Sequence, residues 1–174
     1  MEWIWYFVIY SVLGFFLEVA FAWVTGQRGA RKGGLLLPVC PVYGLGAVAI
    51  LLIAGALGKH GLLIFLVGGA AATAVEYVVG MWYEEGLGVS FWDYTGLPGN
   101  VHGRICLPFS AAWGVLAVVL VGVVHPVVQS WVAAIPLPVT AATAVLVAVD
   151  LTVSAVMMKR TGGRDCLRWY RKEA

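Results

Sequence analysis

The stretch FWDYTGLPGNVHGRICLPFS, residues 91–110, gathers Asp93, Asn100, His102, Arg104 and Cys106 within an otherwise apolar chain. An acid, an amide, a fixed cation and a thiol in one short segment can bind an ion, hold an anionic group or move a proton. Arg104 suits a carboxylate or a phosphate because its guanidinium presents a planar fork of donors. Three more acids, Glu18, Glu76 and Asp150, stand inside long apolar runs. An acid at the middle of a spanning helix costs about 2.5–3.5 kcal/mol on insertion scales, so such residues face an interior polar space and mark ion or substrate routes. The alternative is that a neighbouring hydroxyl caps each one and the acids only join helices.

The elements that must position these groups follow from composition. The chain has 174 residues, 61% hydrophobic and 11% charged, with a mean hydropathy of +0.92. Soluble domains carry about 25% charge, so this is an integral membrane protein. A net charge of +2 is too small to imply nucleic acid. A spanning helix needs about 20 mainly apolar residues, and five segments qualify: 3–25, 39–58, 61–83, 105–124 and 139–158. The expected fold is all-α, a polytopic five-helix transmembrane bundle over residues 1–158 followed by a basic tail, 159–174. VVQSWVAAI, between the fourth and fifth segments, is too short to span and reads as a lip at the interface. The first segment lacks a preceding basic residue and reads as a retained helix rather than a cleaved signal.

Orientation follows from the basic residues. With five spans, Arg28, Arg31, Lys32, Arg104, Lys159, Arg160, Arg164, Arg168, Arg171 and Lys172 share one side, and Lys59 alone lies on the other. The positive-inside rule then puts the N-terminus outside and the C-terminus in the cytoplasm of a prokaryotic cell or inner membrane. Trp169 and Tyr170 among the tail's charges suit contact with anionic membrane lipid.

In this topology Glu18, Glu76 and Asp150 lie roughly 10–12 Å below the cytoplasmic surface at ~1.5 Å per residue. Residues 91–110 form the cytoplasmic lid above them, with Arg104 clamped by Asp93 or Glu76, or open to an anionic group. Trp92 and Tyr94 also fit an interfacial aromatic belt. The second cytoplasmic entry, GGLLLPVCPVYGLG at 33–46, breaks the start of helix 2 with Pro38 and Pro41 and brings Cys40 and Tyr43 to the same level. An internal echo pairs Pro38…Tyr43-Gly with Pro108…Trp113-Gly, and Glu18 with Glu76. It points to a parallel two-hairpin repeat, helices 1–2 and 3–4, with helix 5 added.

Cys40, Cys106 and Cys166 all fall on the reducing side, and no CxxC, HExxH, Walker or GxGxxG pattern occurs. No metal or cofactor is therefore expected, and no nucleotide-hydrolysing domain within this chain. Gly68-Gly69-Ala70-Ala71-Ala72 offers a small-residue face for helix packing or a homodimer seam. His60 and His125 are expected at the opposite surface, meeting water.

WDYTGLPGNVHGRICL, LLLPVCPVYG, Glu18 in helix 1 and Glu76-Tyr77 in helix 3 together resemble the small multipass family of ABC-transporter permeases of the CmpB type, over most of residues 5–158. The resemblance implies functional roles for Glu18, Pro41, Tyr43, Gly44, Glu76, Trp92, Asp93, Tyr94, Asn100, Gly103, Arg104, Cys106 and Asp150, and a separate ATPase subunit as partner. His102 occupies a position that the family pattern leaves free, and Leu36 and Leu37 stand where relatives carry Tyr-Gly.

Two functional classes stay open at this stage. One is a permease whose substrate or ion site is formed by Glu18, Tyr43, Glu76, Trp92, Asp93, Tyr94, Asn100, Arg104, Cys106 and Asp150, passing a small polar or ionic solute. The other is a membrane-embedded enzyme acting on a lipid or lipid-linked substrate, with Asp93 or Glu76 as base and Arg104 holding a phosphate.

Overall fold

A computed structural model describes residues 1–26, 34–58 and 60–167. Arg28, Arg31, Lys32, Lys59, Arg168, Trp169, Tyr170, Arg171 and Lys172, on which much of the orientation argument rests, lie outside the described residues. The described chain is helical, with one isolated bridge between Val101 and Ile105. Four helices are long and apolar enough to cross a membrane: α1 (Glu2–Val24), α3 (Gly61–Gly86), α4 (Leu107–Val132) and α5 (Leu137–Thr161). The shorter α2, Pro41–Leu57, completes a five-helix set. Large apolar side chains such as Phe16, Leu52, Val123 and Leu146 stand on the outside, as a bundle in lipid requires.

The fourth helix corrects the expectation drawn from its sequence. The apolar segment is expected to end at residue 124, with VVQSWVAAI a separate lip too short to span, yet the helix runs on to Val132. A π-helical turn at Leu120–Val124 ends two residues before Pro126. A widened turn relieves the clash between a proline ring and the carbonyl four residues back, so the helix continues. His125, half-buried, is consequently held against α1. Its Nδ1 lies 2.8 Å from the Tyr10 hydroxyl and its ring packs 4.9 Å from Tyr6, so it does not simply meet water.

α2 is short for a physical reason. Its first residues meet α1 well inside the bundle: the Cys40 amide donates to the Ser11 carbonyl at 3.0 Å, about 20 Å short of the Val24 end of α1 at ~1.5 Å per residue. Residues 34–40 therefore descend into the bundle as irregular backbone, which a membrane tolerates only where its polar groups find partners. Asp150 supplies them. Its carboxylate accepts the Leu36 and Leu37 amides at 3.1 Å each and the Ser154 hydroxyl at 3.1 Å. Gly34 donates to the Val39 carbonyl at 3.2 Å. Once started, α2 lies tight on α1 because Gly44 faces Ser11 and Phe7, and Gly14 faces the Tyr43 ring, with no room for a Cβ at either glycine.

α5 is tied to the rest by polar contacts spread along its length. Trp5 Nε1 donates to Thr140 Oγ1 at 2.8 Å near one end, and Asp150 holds the descending segment in the middle. Beyond Thr161 a 3-10 turn, Arg164–Leu167, folds back. Leu167 is buried there and Arg164 donates to the Phe91 carbonyl at 2.7 Å. The first part of the basic tail is thus docked on the 87–106 loop.

Candidate functional site

Residues 87–106 form a closely hydrogen-bonded loop. Tyr94 N–H donates to the Gly103 carbonyl at 2.8 Å, Val101 N–H to Ile105 at 3.0 Å, and Leu107 N–H to Pro98 at 3.0 Å. Asn100 accepts the Gly103 amide through Oδ1 at 2.6 Å, and Trp92 Nε1 donates to the Arg104 carbonyl at 2.8 Å. Gly103 has φ +73° and an added Cβ would come 2.8 Å from Asp93 Oδ1, so only glycine fits. Asp93 is exposed and turned onto its own loop, accepting the Thr95 amide at 2.8 Å and hydroxyl at 2.7 Å. Those two bonds hold its carboxyl below the usual carboxylate range. Cys106 is buried at the start of α4 with its carbonyl taken by the Ser110 amide at 2.9 Å. Asn100, Trp92, Asp93 and Cys106 therefore shape the loop.

Arg104 is neither clamped by Asp93 or Glu76 nor left open for an anion. Its Nε lies 2.7 Å from Glu84 Oε2 and its NH2 group 2.9 Å from Glu85 Oε1, with the guanidinium 5.4 Å from the centre of the Tyr77 ring. The bond to Glu84, and after it the bond to Glu85, reinforces a charge that is already permanent. The π-helical turn Trp82–Gly86 at the end of α3 brings these two consecutive glutamates to one cation. Glu84 and Glu85 were the residues overlooked; the signal was an acidic pair closing a hydrophobic segment some twenty positions before a lone arginine.

Arg104→Ala is expected to lower the melting temperature of detergent-solubilised protein, because Glu84 and Glu85 then repel each other without a counter-charge. Arg104→Lys should recover only part of the loss, since a point charge cannot hold both bonds of the fork. A lysine variant melting at the wild-type temperature would show that the fork geometry is immaterial.

Deeper in the bundle the acids divide. Glu76, 5% exposed, accepts the Trp113 indole N–H at 3.0 Å and the Tyr94 hydroxyl at 2.9 Å. Glu18 accepts the Tyr43 hydroxyl at 2.6 Å, and the Tyr43 and Trp113 rings lie 5.1 Å apart. Tyr94 is stacked on Phe109 at 4.5 Å. Burial, with the Glu76 charge beside it, pushes the Tyr94 phenol well above its usual range, so it stays an O–H donor. Glu18, Tyr43, Trp113, Glu76 and Tyr94 thus form one connected network drawn from α1, α2, α4, α3 and the loop. Asp150 does not join it through any hydrogen bond among the described residues, being committed to Leu36, Leu37 and Ser154, and Arg104 pairs instead with Glu84 and Glu85. Trp113, absent from the sequence-derived site, is the echo partner of Tyr43.

No curated protein and no solved structure matches this chain. A family model does match, over residues 5–158, and the multipass helices, the polar loop and the intramembrane glutamates all fall within that range: the chain belongs to the family described as Putative ABC-transporter type IV.

Proposed function

We propose that this protein passes a small polar or ionic solute across a membrane, and that the Glu18–Tyr43–Trp113–Glu76–Tyr94 network is the polar site on that route. The family and the apolar helices make it a membrane protein related to transport. The observation that carries the site is the pairing of two intramembrane carboxylates with neutral donors alone. A structural ion pair would have drawn in a cation, whereas uncompensated acids inside a bundle are the mark of an ion or substrate pathway. Glu84 and Glu85 occupy Arg104, which removes the phosphate holder that an enzymatic reading needs. Asn100, Trp92, Asp93 and Cys106 then serve by holding the loop that delivers Tyr94, and Asp150 by holding the entry to α2.

The repeat reading gains support from the same contacts. Glu18 bonds the aromatic of its own hairpin, Tyr43, and Glu76 bonds the echo partner, Trp113, with the two rings meeting between them. The ten-to-one bias of basic residues supports an N-out, C-in orientation with the loop in the cytoplasm. Residues 1–158 are then the transmembrane bundle and 159–174 a tail at the cytoplasmic face. Membrane lipid and, through the family, an ATPase subunit are the partners proposed. Gly68 and Gly69 are buried against Ala117, Ile50 and Gly114, and Ala72 is buried too, so that small-residue stretch serves packing within the chain.

Reconstituted vesicles test the reading. Vesicles holding the wild-type protein, with and without co-expressed ATPase subunits from the same cells, should exchange at least one member of a panel of small labelled ions and polar solutes. Glu18→Gln and Glu76→Gln should each reduce that exchange by on the order of a hundredfold. In the same vesicles, a cysteine at position 97 should be labelled from the cytoplasmic side and one at position 60 from the other, in a background freed of native cysteines. Exchange that survives both glutamine variants, or labelling of both cysteines from one side, would refute the model.

A further inference from the structure

We propose that the solute is the proton, and that it crosses along a seam of polar side chains on α1; the inference rests on the transport reading above. Tyr6, Tyr10, Ser11, Gly14 and Glu18 recur at helical spacing and are turned into the bundle rather than to lipid. At the Met1 end the seam begins with Glu2, whose Oε2 accepts the Tyr6 hydroxyl at 3.2 Å. It continues through His125, which sits against the Tyr6 ring and shares a 2.8 Å hydrogen bond with Tyr10. At the other end it enters the Glu18–Glu76 network. Histidine is the side chain best suited to take and give a proton near neutral pH.

Between the two halves stands Ser11. It is fully buried, and among the described residues its Oγ is a buried side-chain polar atom without a hydrogen-bond partner. Leaving a hydroxyl unpaired is unfavourable, so its presence needs a reason. A hydroxyl both donates and accepts, which is what a relay between Tyr10 and Glu18 requires. Those two residues are about 12 Å apart along the helix at ~1.5 Å per residue, a span that Ser11 and one or two waters can bridge. Gly44 is packed onto the Ser11 Oγ in this structure. The seam is therefore closed between its halves, and a small separation of α1 from α2 would open it.

The network also selects the proton over other cations. Both Glu76 oxygens already accept hydrogen bonds, and the Tyr43, Trp113, Tyr94 and Phe109 rings fill the space around the acids. A hydrated or organic cation would need a cavity and several ligands, whereas a proton needs neither. Apart from each other, the two acids face neutral groups: Tyr43 and the nearby Cys40 beside Glu18, and Tyr94 and Trp113 beside Glu76. Those facing His125 are Tyr6 and Tyr10, with Glu2 behind Tyr6. One proton is taken up at the Glu2–His125 end and passes through Ser11 to Glu18. Water then carries it past the Tyr43–Trp113 ring contact to Glu76, since an indole donates and cannot accept, and one proton is released at the loop beside Tyr94, with no net change in covalent bonds.

Vesicles containing the wild-type protein and a trapped pH-sensitive dye, given a potassium gradient with valinomycin, should change internal pH faster than protein-free vesicles. Glu18→Gln should lower the rate by on the order of a hundredfold and Ser11→Ala by roughly tenfold. Because the Ser11 hydroxyl has no partner to lose, Ser11→Ala should melt at or above the wild-type temperature, which separates relay loss from misfolding. Thr152→Val, whose hydroxyl bonds only its own helix at Ala148, should conduct like the wild type. Wild-type proton movement in Ser11→Ala overturns the seam. Vesicles that exchange another solute but no protons overturn the proton and leave transport standing, whereas vesicles that move neither protons nor any tested solute overturn the transport reading itself.

Discussion

Glu76→Ala should destabilise the protein by about 2–5 kcal/mol and abolish transport. Truncation removes the acceptor for two donors at once, the Trp113 indole N–H and the Tyr94 hydroxyl, bonded at 3.0 and 2.9 Å. Each donor left unpaired in a buried site costs about 1–3 kcal/mol, and the emptied volume adds a cavity term. Tyr94 then loses its anchor, so the effect reaches the loop that carries Arg104. Glu76→Gln separates the two consequences. Its carbonyl oxygen still accepts one donor, so most of the stability should return, but the side chain can no longer carry a charge and transport should stay lost. Thermal unfolding in detergent, measured beside vesicle flux, gives both readouts. An alanine variant as stable as the wild type would mean that water replaces the carboxylate and the site is not closed.

Asp150→Leu is expected to be damaging in a different way, costing about 2–6 kcal/mol with no direct effect on the Glu18–Glu76 network. The substitution suits lipid, and hydropathy alone predicts better insertion. The structure predicts the reverse. The Leu37 amide and the Ser154 hydroxyl end on this carboxylate, while the Leu36 amide is shared between it and the Ser154 Oγ at 3.1 Å each. At membrane depth each orphaned group costs about 1–3 kcal/mol. Asp150→Asn keeps an acceptor oxygen and should retain roughly half of that stability. Limited proteolysis within 34–40, together with the melting temperature, would report the loss. Unchanged protection in the leucine variant would show that the segment finds other partners.

These two acids show how far the sequence could be read. Their occurrence in apolar helices was visible as an anomaly, because a carboxylate in a hydrophobic run needs an explanation whatever the fold. Their similar depth suggested one shared space. Tertiary structure separated them, since depth along a helix says nothing about the direction in which a side chain faces. Asp150 stands on α5, beside the descending segment, and is consumed by backbone amides. Glu18 and Glu76 stand on α1 and α3, where Tyr43 and Trp113 bridge them. Arg104 taught a similar lesson. Its charge and its place in a polar loop were plain, but a widened turn at the end of α3 decided that Glu84 and Glu85 would take it.

What the sequence by itself determined is the class, an all-helical bundle of apolar segments. Hydropathy alone identifies a membrane bundle, because the roughly 30 Å hydrocarbon core admits long apolar helices and little else. It also located the polar loop, for glycine, proline and clustered polar residues between two greasy segments cannot continue a buried helix. What only the tertiary structure decided is the partnership of each polar atom: which acid meets which aromatic, where α2 begins, and that α4 passes through Pro126 to carry His125 to Tyr10. Spans follow from the free energy of placing each residue in lipid, a property local to the chain. Partnerships depend on helix rotation and crossing, and those are set by close contacts such as Gly44 on Ser11 and Gly14 on Tyr43, between residues far apart in sequence.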